Sequence, residues 1–135
     1  MRVLVDTNVV LSAILFPKGA AAKAFVNIVE NHHLVLSDYT FSELYDVFER
    51  KFRNRIPALD FFIDALTYEA ISPPETIDPN EYTDLRDPDD LPILTSAVKA
   101  ECDYLVSGDK DLLVLTSAPL CIVSPAEFIE LTRSD

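Results

Sequence analysis

The sequence predicts an α/β protein, a three-layer α/β/α sandwich built on a mostly parallel five-stranded sheet. Five short apolar segments, rich in valine, leucine and isoleucine, read as strands. Segments with helical spacing of apolar residues lie between them, so strands and helices alternate from end to end. The strand segments are apolar almost throughout, as expected for strands buried on both faces. Right-handed crossovers then place helices on both sides of the sheet.

The first half of the chain supplies three predicted strands and four predicted helices. Pro17 and Gly19 end the first helical segment. In the second helix, Phe25, Ile28 and Val29 share one face at i, i+3 and i+4 spacing. The elements are predicted in order at residues 2–5, 8–15, 20–30, 33–36, 37–52, 58–68 and 69–72.

The second half opens with a proline-rich, acidic connection at residues 73–89, predicted as a loop. Pro92 is tolerable because it falls in the first turn of the next helix. Ser124, Pro125 and Glu127 form a capping-box sequence with proline at the first helical position, which predicts the start of the final helix. The remaining elements are predicted at residues 91–100, 104–106, 109–115 and 120–123.

The length of 135 residues suits one domain, residues 1–135. No run of about 18 apolar residues occurs, so no membrane span is expected. The first apolar run breaks at Asp6, too soon for a signal peptide, and a cytoplasmic location is expected. Cys102 and Cys121 belong to no motif and are predicted to be buried thiols.

The formal net charge is −12 and is unevenly distributed. Residues 1–70 contain 9 acids and 7 bases, whereas residues 71–135 contain 14 acids and 4 bases. This balance argues against broad, sequence-blind binding to a phosphate backbone. Clustered carboxylates are, however, the oxygen ligands that divalent cations require.

Four acids lie next to strand ends or helix starts. Asp6 follows the first strand, Glu43 lies one turn into the helix after the second, Asp90 opens a helix, and Asp109 follows the fourth strand. Ligands of open α/β sheets bind outside the carboxyl ends of the strands. Four like charges at that edge would repel one another unless cations lie among them, and Mg²⁺ or Mn²⁺ suits such carboxylates.

Each acid also has a purely structural interpretation. Asp6 is a good helix cap, and Glu43 completes a capping-box sequence with Thr40. Asp90 suits a helix N-terminus electrostatically, and Asp109 suits a turn. None of these interpretations explains why all four acids are predicted at one edge.

The chain resembles the PIN domains, the ribonuclease fold of many bacterial and archaeal toxins. The resemblance extends over nearly the whole chain. It rests on four blocks in order: Val5-Asp6-Thr7-Asn8-Val9, Ser42-Glu43-Leu44, Asp87-Pro88-Asp89-Asp90 with Ile93 and Ala97, and Val106-Ser107-Gly108-Asp109-Lys110-Asp111.

The resemblance implies that Asp6, Glu43, Asp90 and Asp109 are the catalytic, metal-binding acids, with Asp111 assisting. It assigns Thr7, Asn8 and Ser107 to hydrogen bonds with metal, water or phosphate, and leaves Asp87 and Asp89 as flanking charges. Ser107 stands where many relatives have threonine, which keeps the hydroxyl.

The function implied is that of an endoribonuclease using Mg²⁺ or Mn²⁺, in which an ion activates water for in-line attack on a phosphodiester. The Asp-Pro-Asp-Asp and Gly-Asp-Lys-Asp runs look most like the toxin-like, VapC-type branch. An RNA substrate, an antitoxin partner and a homodimer are therefore expected by resemblance.

Four bases lie at the end of the third predicted helix and in the turn that follows: Arg50, Lys51, Arg53 and Arg55. They are interpreted either as phosphate contacts that guide single-stranded RNA or as a solvated helix C-terminus.

Two other functions are compatible with parts of the sequence. A haloacid-dehalogenase-like phosphatase also begins with an aspartate after the first strand. It needs a second aspartate two residues later, where this chain has Asn8. A non-catalytic PIN-like module that binds RNA or protein would tolerate missing acids, and here all four are present.

Overall fold

The computed structural model describes residues 1–133. The strands are β1 (Arg2–Val5), β2 (His33–Ser37), β3 (Glu69–Ile71), β4 (Tyr104–Val106) and β5 (Cys121–Val123). The helices are α1 (Thr7–Leu15), α2 (Ala20–Asn31), α3 (Asp38–Lys51), α4 (Ile56–Ala65), α5 (Leu91–Lys99), α6 (Lys110–Leu113) and α7 (Pro125–Thr132).

The five strands form one sheet in the order β3-β2-β1-β4-β5, and every neighbouring pair is parallel. The central strand β1 pairs Val3 with Leu34 of β2 and with Tyr104 of β4. The predicted α/β fold is confirmed, with a sheet that is entirely parallel. The carboxyl ends of all five strands therefore lie at one edge.

Helices cover both faces of the sheet because the strand side chains alternate. Val3 and Val5 point into a core formed with α1, α2, α3, α4 and α7, and Leu4 points into a second core formed mainly with α5. All three side chains are completely buried. Burial on both faces explains why the middle positions of the central strands β1 and β2 are all apolar.

The fourth helix begins and ends earlier than the predicted 58–68. It begins at Ile56, with Pro57 in its first turn, where the missing proline N–H costs no hydrogen bond. It ends at Ala65, and Leu66 is extended with φ −81° and ψ 143°. Pro57 therefore lies in the first turn of this helix and does not merely end the preceding basic segment.

The two cysteines differ in burial. Cys102 is buried, as predicted, whereas Cys121 is exposed, so the prediction of a second buried thiol is wrong. Cys121 is the first residue of β5, which lies at the edge of the sheet and pairs only with β4. A residue at the end of an edge strand has a neighbouring strand on one side only, and its side chain is easily reached by solvent.

The helices of the described residues are short, and the 14 residues of α3 make it the longest. No single helix within residues 1–133 has both the length and the apolar composition to cross a membrane. Only α1 and α2 taken together, with a bend of 106° between them, meet both criteria.

A charged network joins three strands at the edge opposite their carboxyl ends. The guanidinium of Arg2 donates two hydrogen bonds to the Glu69 carboxylate, at 2.9 and 2.8 Å. Nε2 of His33 lies 2.8 Å from Oε1 of the same carboxylate. Hydrogen bonds from Arg2 and then from His33 lower the pKa of Glu69 to about 2.

We expect this network to stabilise the fold above pH about 4.5 and to be lost as the pH falls toward 2, because the folded pKa of Glu69 lies below its unfolded value. The groups are partly exposed, so the contribution is at most about 1 kcal/mol. Urea unfolding of Glu69→Gln should show a loss of stability at pH 7 that shrinks at pH 3. The exposed loop residue Glu75, changed to glutamine, is the control. An equal loss at both pH values would contradict the assignment.

Candidate metal centre

A cavity of about 140 Å³ opens at the carboxyl edge of the sheet. All four acids predicted to converge there line it, and Asp89 adds a fifth carboxylate. No lysine or arginine is among the lining residues. The lining consists of Asp6, Thr7, Asn8, Tyr39, Glu43, Asp89, Asp90, Ile93 and Asp109.

Asp6 is placed by β1 and fixed by hydrogen bonds from two elements. Its Oδ1 accepts from the backbone N–H of Thr7 at 2.8 Å, and its Oδ2 accepts from the Ser107 hydroxyl at 2.7 Å. Burial raises the pKa of Asp6 above its usual value, although these two hydrogen bonds lower it. The charges of Glu43 and Asp109 raise it further. Asp6 is thus both the N-cap of α1 and a cavity residue.

Glu43 lies inside α3 and does not cap it. The N-cap is Ser37, whose hydroxyl accepts from the Tyr39 N–H at 3.2 Å, so the capping-box interpretation of Thr40 and Glu43 is wrong. Oε1 of Glu43 accepts a 2.6 Å hydrogen bond from the Thr7 hydroxyl. The buried Thr40 hydroxyl lies 3.3 Å from that of Thr7. The start of α1 therefore holds a carboxylate supplied by α3.

The hydroxyls of Thr7 and Ser107 are predicted to support metal, water or phosphate, and in the structure they hydrogen-bond to the acids. Thr7 donates to Glu43, and Ser107 donates to Asp6. Ser107 also accepts from the Asp109 N–H at 3.0 Å. Asn8 is exposed and lines the cavity. Thr7 and Ser107 therefore orient carboxylate oxygens toward the cavity.

Asp90 carries the one unsatisfied buried side-chain atom found in residues 1–133. Its Oδ2 is buried without a hydrogen-bond partner. Burial, and then the nearby charge of Asp109, raise the pKa of Asp90 to about 7. A buried oxygen that makes no hydrogen bond is costly unless another group binds it.

Asp109 caps α6, and its Oδ1 accepts from the Asp111 N–H at 2.9 Å. The structure thus makes Asp109 a helix cap in place of the predicted turn residue, and the same residue also lines the cavity. One oxygen serves the backbone, which leaves the carboxylate able to contribute its other oxygen.

A second group of carboxylates shares Asp90. Asp87, Asp90 and Asp111 each offer an oxygen within 4.8 Å of the others. Asp87 was predicted as a flanking charge, and its Oδ1 caps the following 3-10 turn by accepting from the Asp89 N–H at 3.0 Å. The guanidinium of Arg86 lies 3.8 Å from Asp111. The only signal for Asp87 in the sequence is its place in the acidic run Asp87-Pro88-Asp89-Asp90.

These residues fit a hard divalent cation. Carboxylate oxygens are the ligands that Mg²⁺ and Mn²⁺ prefer, and an ion here would satisfy the unpartnered Oδ2 of Asp90. Such an ion would also offset the repulsion among the acids, because no lysine or arginine lines the cavity.

The four bases between residues 50 and 55 are not among the residues that line this cavity. Arg50 and Lys51 end α3, and Arg53 and Arg55 lie in the 3-10 turn that follows. Arg53 contacts Glu49 at 3.5 Å, and the Arg55 guanidinium lies 6.0 Å from the centre of the Phe52 ring. Arg50 is two helical turns beyond Glu43, which is roughly 10 Å along the axis.

Comparison with known proteins identifies a family and a shared fold. The sequence model of the PIN-domain family matches residues 2–111. No curated protein sequence matches the chain significantly.

Two solved structures share the fold. VapBC2 from Rickettsia felis, crystallised with a DNA fragment from its promoter, is similar with a TM-score of 0.64 and 20% identity, over 92% of this chain and 98% of that one. PAE2754 from Pyrobaculum aerophilum gives a TM-score of 0.62 and 16% identity, over 97% of this chain and 89% of that one. At these identities the likeness extends to the fold alone.

Proposed function

The chain belongs to the PIN-domain family, and from this premise we propose that it is a metal-dependent endoribonuclease that hydrolyses RNA phosphodiester bonds. The observation that carries the proposal is the meeting of Asp6, Glu43, Asp90 and Asp109 around one cavity, with an unpartnered Oδ2 on Asp90. Carboxylates arranged in this way serve phosphoryl chemistry when they bind divalent ions.

In this proposal Asp6, Glu43, Asp90 and Asp109 hold Mg²⁺ or Mn²⁺, with Asp111 assisting. The ion supplies Lewis-acid activation of water and offsets negative charge at phosphorus. Ser107 and Thr7 hold the carboxylates of Asp6 and Glu43 in place. Asn8, which lines the cavity and is exposed, is placed to donate a hydrogen bond to water or phosphate.

Water is the nucleophile in this scheme, and the lining carboxylates are used to hold the metal ion and not to attack phosphorus. Thr7 is the only aliphatic hydroxyl among the lining residues, and its proton is donated to Glu43. No histidine, cysteine or lysine lines the cavity. The proposed reaction is direct hydrolysis, in which no side chain needs to form a covalent intermediate.

The proposal is tested with end-labelled single-stranded RNA in Mn²⁺, with and without excess chelator. Internal cleavage that requires Mn²⁺ is the expected result. Release of phosphate from a phosphomonoester without RNA cleavage would favour a phosphatase instead. Binding of RNA without cleavage in any divalent ion would favour a non-catalytic module.

Thr7→Val is expected to lower kcat about tenfold, because the Glu43 carboxylate loses the hydroxyl that orients it. Thr7→Ser keeps a hydroxyl at the same position and should recover most of the activity. The measurement is the rate of RNA cleavage at saturating Mn²⁺, with thermal unfolding to confirm that both variants fold. Equal rates for the valine and serine variants would remove the proposed role.

We further propose that Arg50, Lys51, Arg53 and Arg55 contact phosphates of RNA beyond the scissile bond. All four are exposed, and they lie in the last turn of the helix that supplies Glu43 or just past its end. In a chain of charge −12, such a group is a local site for a phosphate backbone.

Changing these four bases to glutamine is expected to weaken RNA binding and to flatten its salt dependence by up to about 0.7 per lost phosphate contact. Affinity is measured with uncleavable RNA in Mn²⁺ at salt concentrations from about 50 to about 200 mM, where the salt dependence of phosphate contacts is large. The control replaces Lys18 and Lys23, which are exposed and lie elsewhere. Unchanged affinity and slope would show that the four bases are only a solvated helix end.

The similarity to VapBC2 supports the proposal that the chain belongs to a toxin–antitoxin pair with a protein antitoxin. The homodimeric state and the cytoplasmic location stay predictions from the sequence. Expression in a bacterium should then arrest growth, and Asp6→Asn should not. Light scattering of the purified protein tests the dimer. If neither the wild-type chain nor the Asp6→Asn chain affects growth, the toxin assignment is contradicted. The nuclease assignment is then still decided by the cleavage assay.

A further inference from the structure

Tyr39 lies in the acidic cavity and has no role in the chemistry described above. It is the only aromatic residue among those that line the cavity. It precedes Glu43 by four residues in α3, so the two side chains lie on the same face of that helix. Helical side chains lean toward the N-terminus, which directs the Tyr39 ring toward the mouth at the carboxyl edge of the sheet.

The position of Tyr39 is fixed from two sides. Its backbone N–H donates to the Ser37 hydroxyl, and that hydroxyl lies 3.0 Å from the buried Ser96 hydroxyl of α5. The ring is half-buried and packs against the core that contains Leu91 and Leu94. One part of the ring is thus held by the protein while the rest faces the cavity.

The remainder of the lining offers little to a nucleobase. Five of the nine lining residues are acids, and Ile93, the only aliphatic side chain, is 2% exposed. The carboxylates suit cations, and they repel phosphate when no cation is bound. The Tyr39 ring is therefore the one accessible apolar face beside the place where the scissile phosphate must lie.

Resting on the proposed nuclease function, we propose that Tyr39 is a specificity-determining residue whose ring stacks on the nucleobase adjoining the scissile phosphate. Stacking on an aromatic ring is a general way in which proteins hold single-stranded RNA, and it needs no positive charge. This assignment suits a strongly acidic protein because it gains affinity from the base and not from the phosphate.

The test uses a short RNA with one mapped cleavage site, and versions that are abasic immediately 5′ or 3′ of it. Wild-type protein is expected to show a KM about tenfold higher for one of the two abasic RNAs. Tyr39→Leu should raise the KM for intact RNA by a similar factor, with kcat little changed. On that abasic RNA the leucine substitution should add no further loss, because the stacking partner is already absent.

Two further variants complete the experiment. Tyr39→Phe keeps the ring and should retain the wild-type preference for the intact RNA. Phe61→Leu removes an aromatic residue of α4 that is 77% exposed and outside the cavity, and it should leave KM unchanged.

The outcomes separate the two proposals. If the wild-type protein cleaves no RNA, the nuclease function fails and Tyr39 loses this role with it. If it cleaves intact and abasic RNAs with the same KM, only the stacking role is overturned. A Tyr39→Leu loss that is equal on intact and both abasic RNAs would likewise overturn it, since it would mark a general structural defect.

Discussion

Asp6→Asn is expected to lower metal-dependent RNA cleavage by roughly a thousandfold while the protein stays folded. The amide cannot supply the negative charge that a divalent ion needs. The hydrogen bonds of Asp6 can nevertheless be retained. Its oxygen can still accept from the Thr7 N–H, and its NH₂ group can donate to the Ser107 oxygen.

The measurement is single-turnover cleavage in saturating Mn²⁺, together with thermal unfolding. Asp64→Asn is the matched control, because Asp64 is an exposed acid of α4 outside the cavity. Its activity should equal that of the wild-type protein. A folded Asp6→Asn protein with normal cleavage would overturn the assignment of the site.

Mn²⁺ is expected to stabilise the protein by about 4 kcal/mol at a free concentration a thousandfold above its Kd. The effect should be much larger at pH 8 than at pH 5.5. The pKa of Asp90 in the metal-free protein is raised to about 7, so at pH 5.5 a bound ion must displace a proton. The measurement is the change in Tm on adding Mn²⁺ to chelator-treated protein at each pH.

Without metal, the contribution of Asp90 to the stability of the fold depends on pH in the opposite sense to that of Glu69. The folded pKa of Asp90 lies above its unfolded value, so protonation stabilises the fold. This contribution is complete below pH about 3.8 and is lost as the pH rises through about 7. Asp90→Asn should raise the metal-free Tm at pH 8 and should greatly reduce the Mn²⁺ effect. A Tm of the metal-free wild-type protein that does not respond to pH between 5.5 and 8 would contradict the account.

Much of the fold follows from local patterns in the sequence. Strands buried on both faces are short and mostly apolar, which makes β1, β2 and β4 recognisable in the sequence. The capping box predicted from Ser124 and Glu127 is present at the start of α7 and is confirmed. The bounds of α4 were missed because a proline after a basic run is compatible with both the end of one helix and the start of the next.

The cavity was less predictable because its contacts join distant parts of the chain. The order of strands places the four acids near one edge, and that much can be anticipated from a parallel sheet. The hydrogen bond from Ser107 to Asp6 spans 101 residues, and no local pattern specifies it. Which carboxylates of the run from Asp87 to Asp90 face one another depends on the backbone of a single 3-10 turn.

The pairing of β1 with β4 has a consequence for protein synthesis. The first strand leaves the ribosome early, yet its neighbour Tyr104–Val106 is made only about a hundred residues later. A nascent chain at that stage holds Asp6 and Glu43 but not yet Asp109. We therefore expect the proposed metal centre to form only after most of the chain has been synthesised, when β4 can pair with β1 and bring Asp109 beside Asp6.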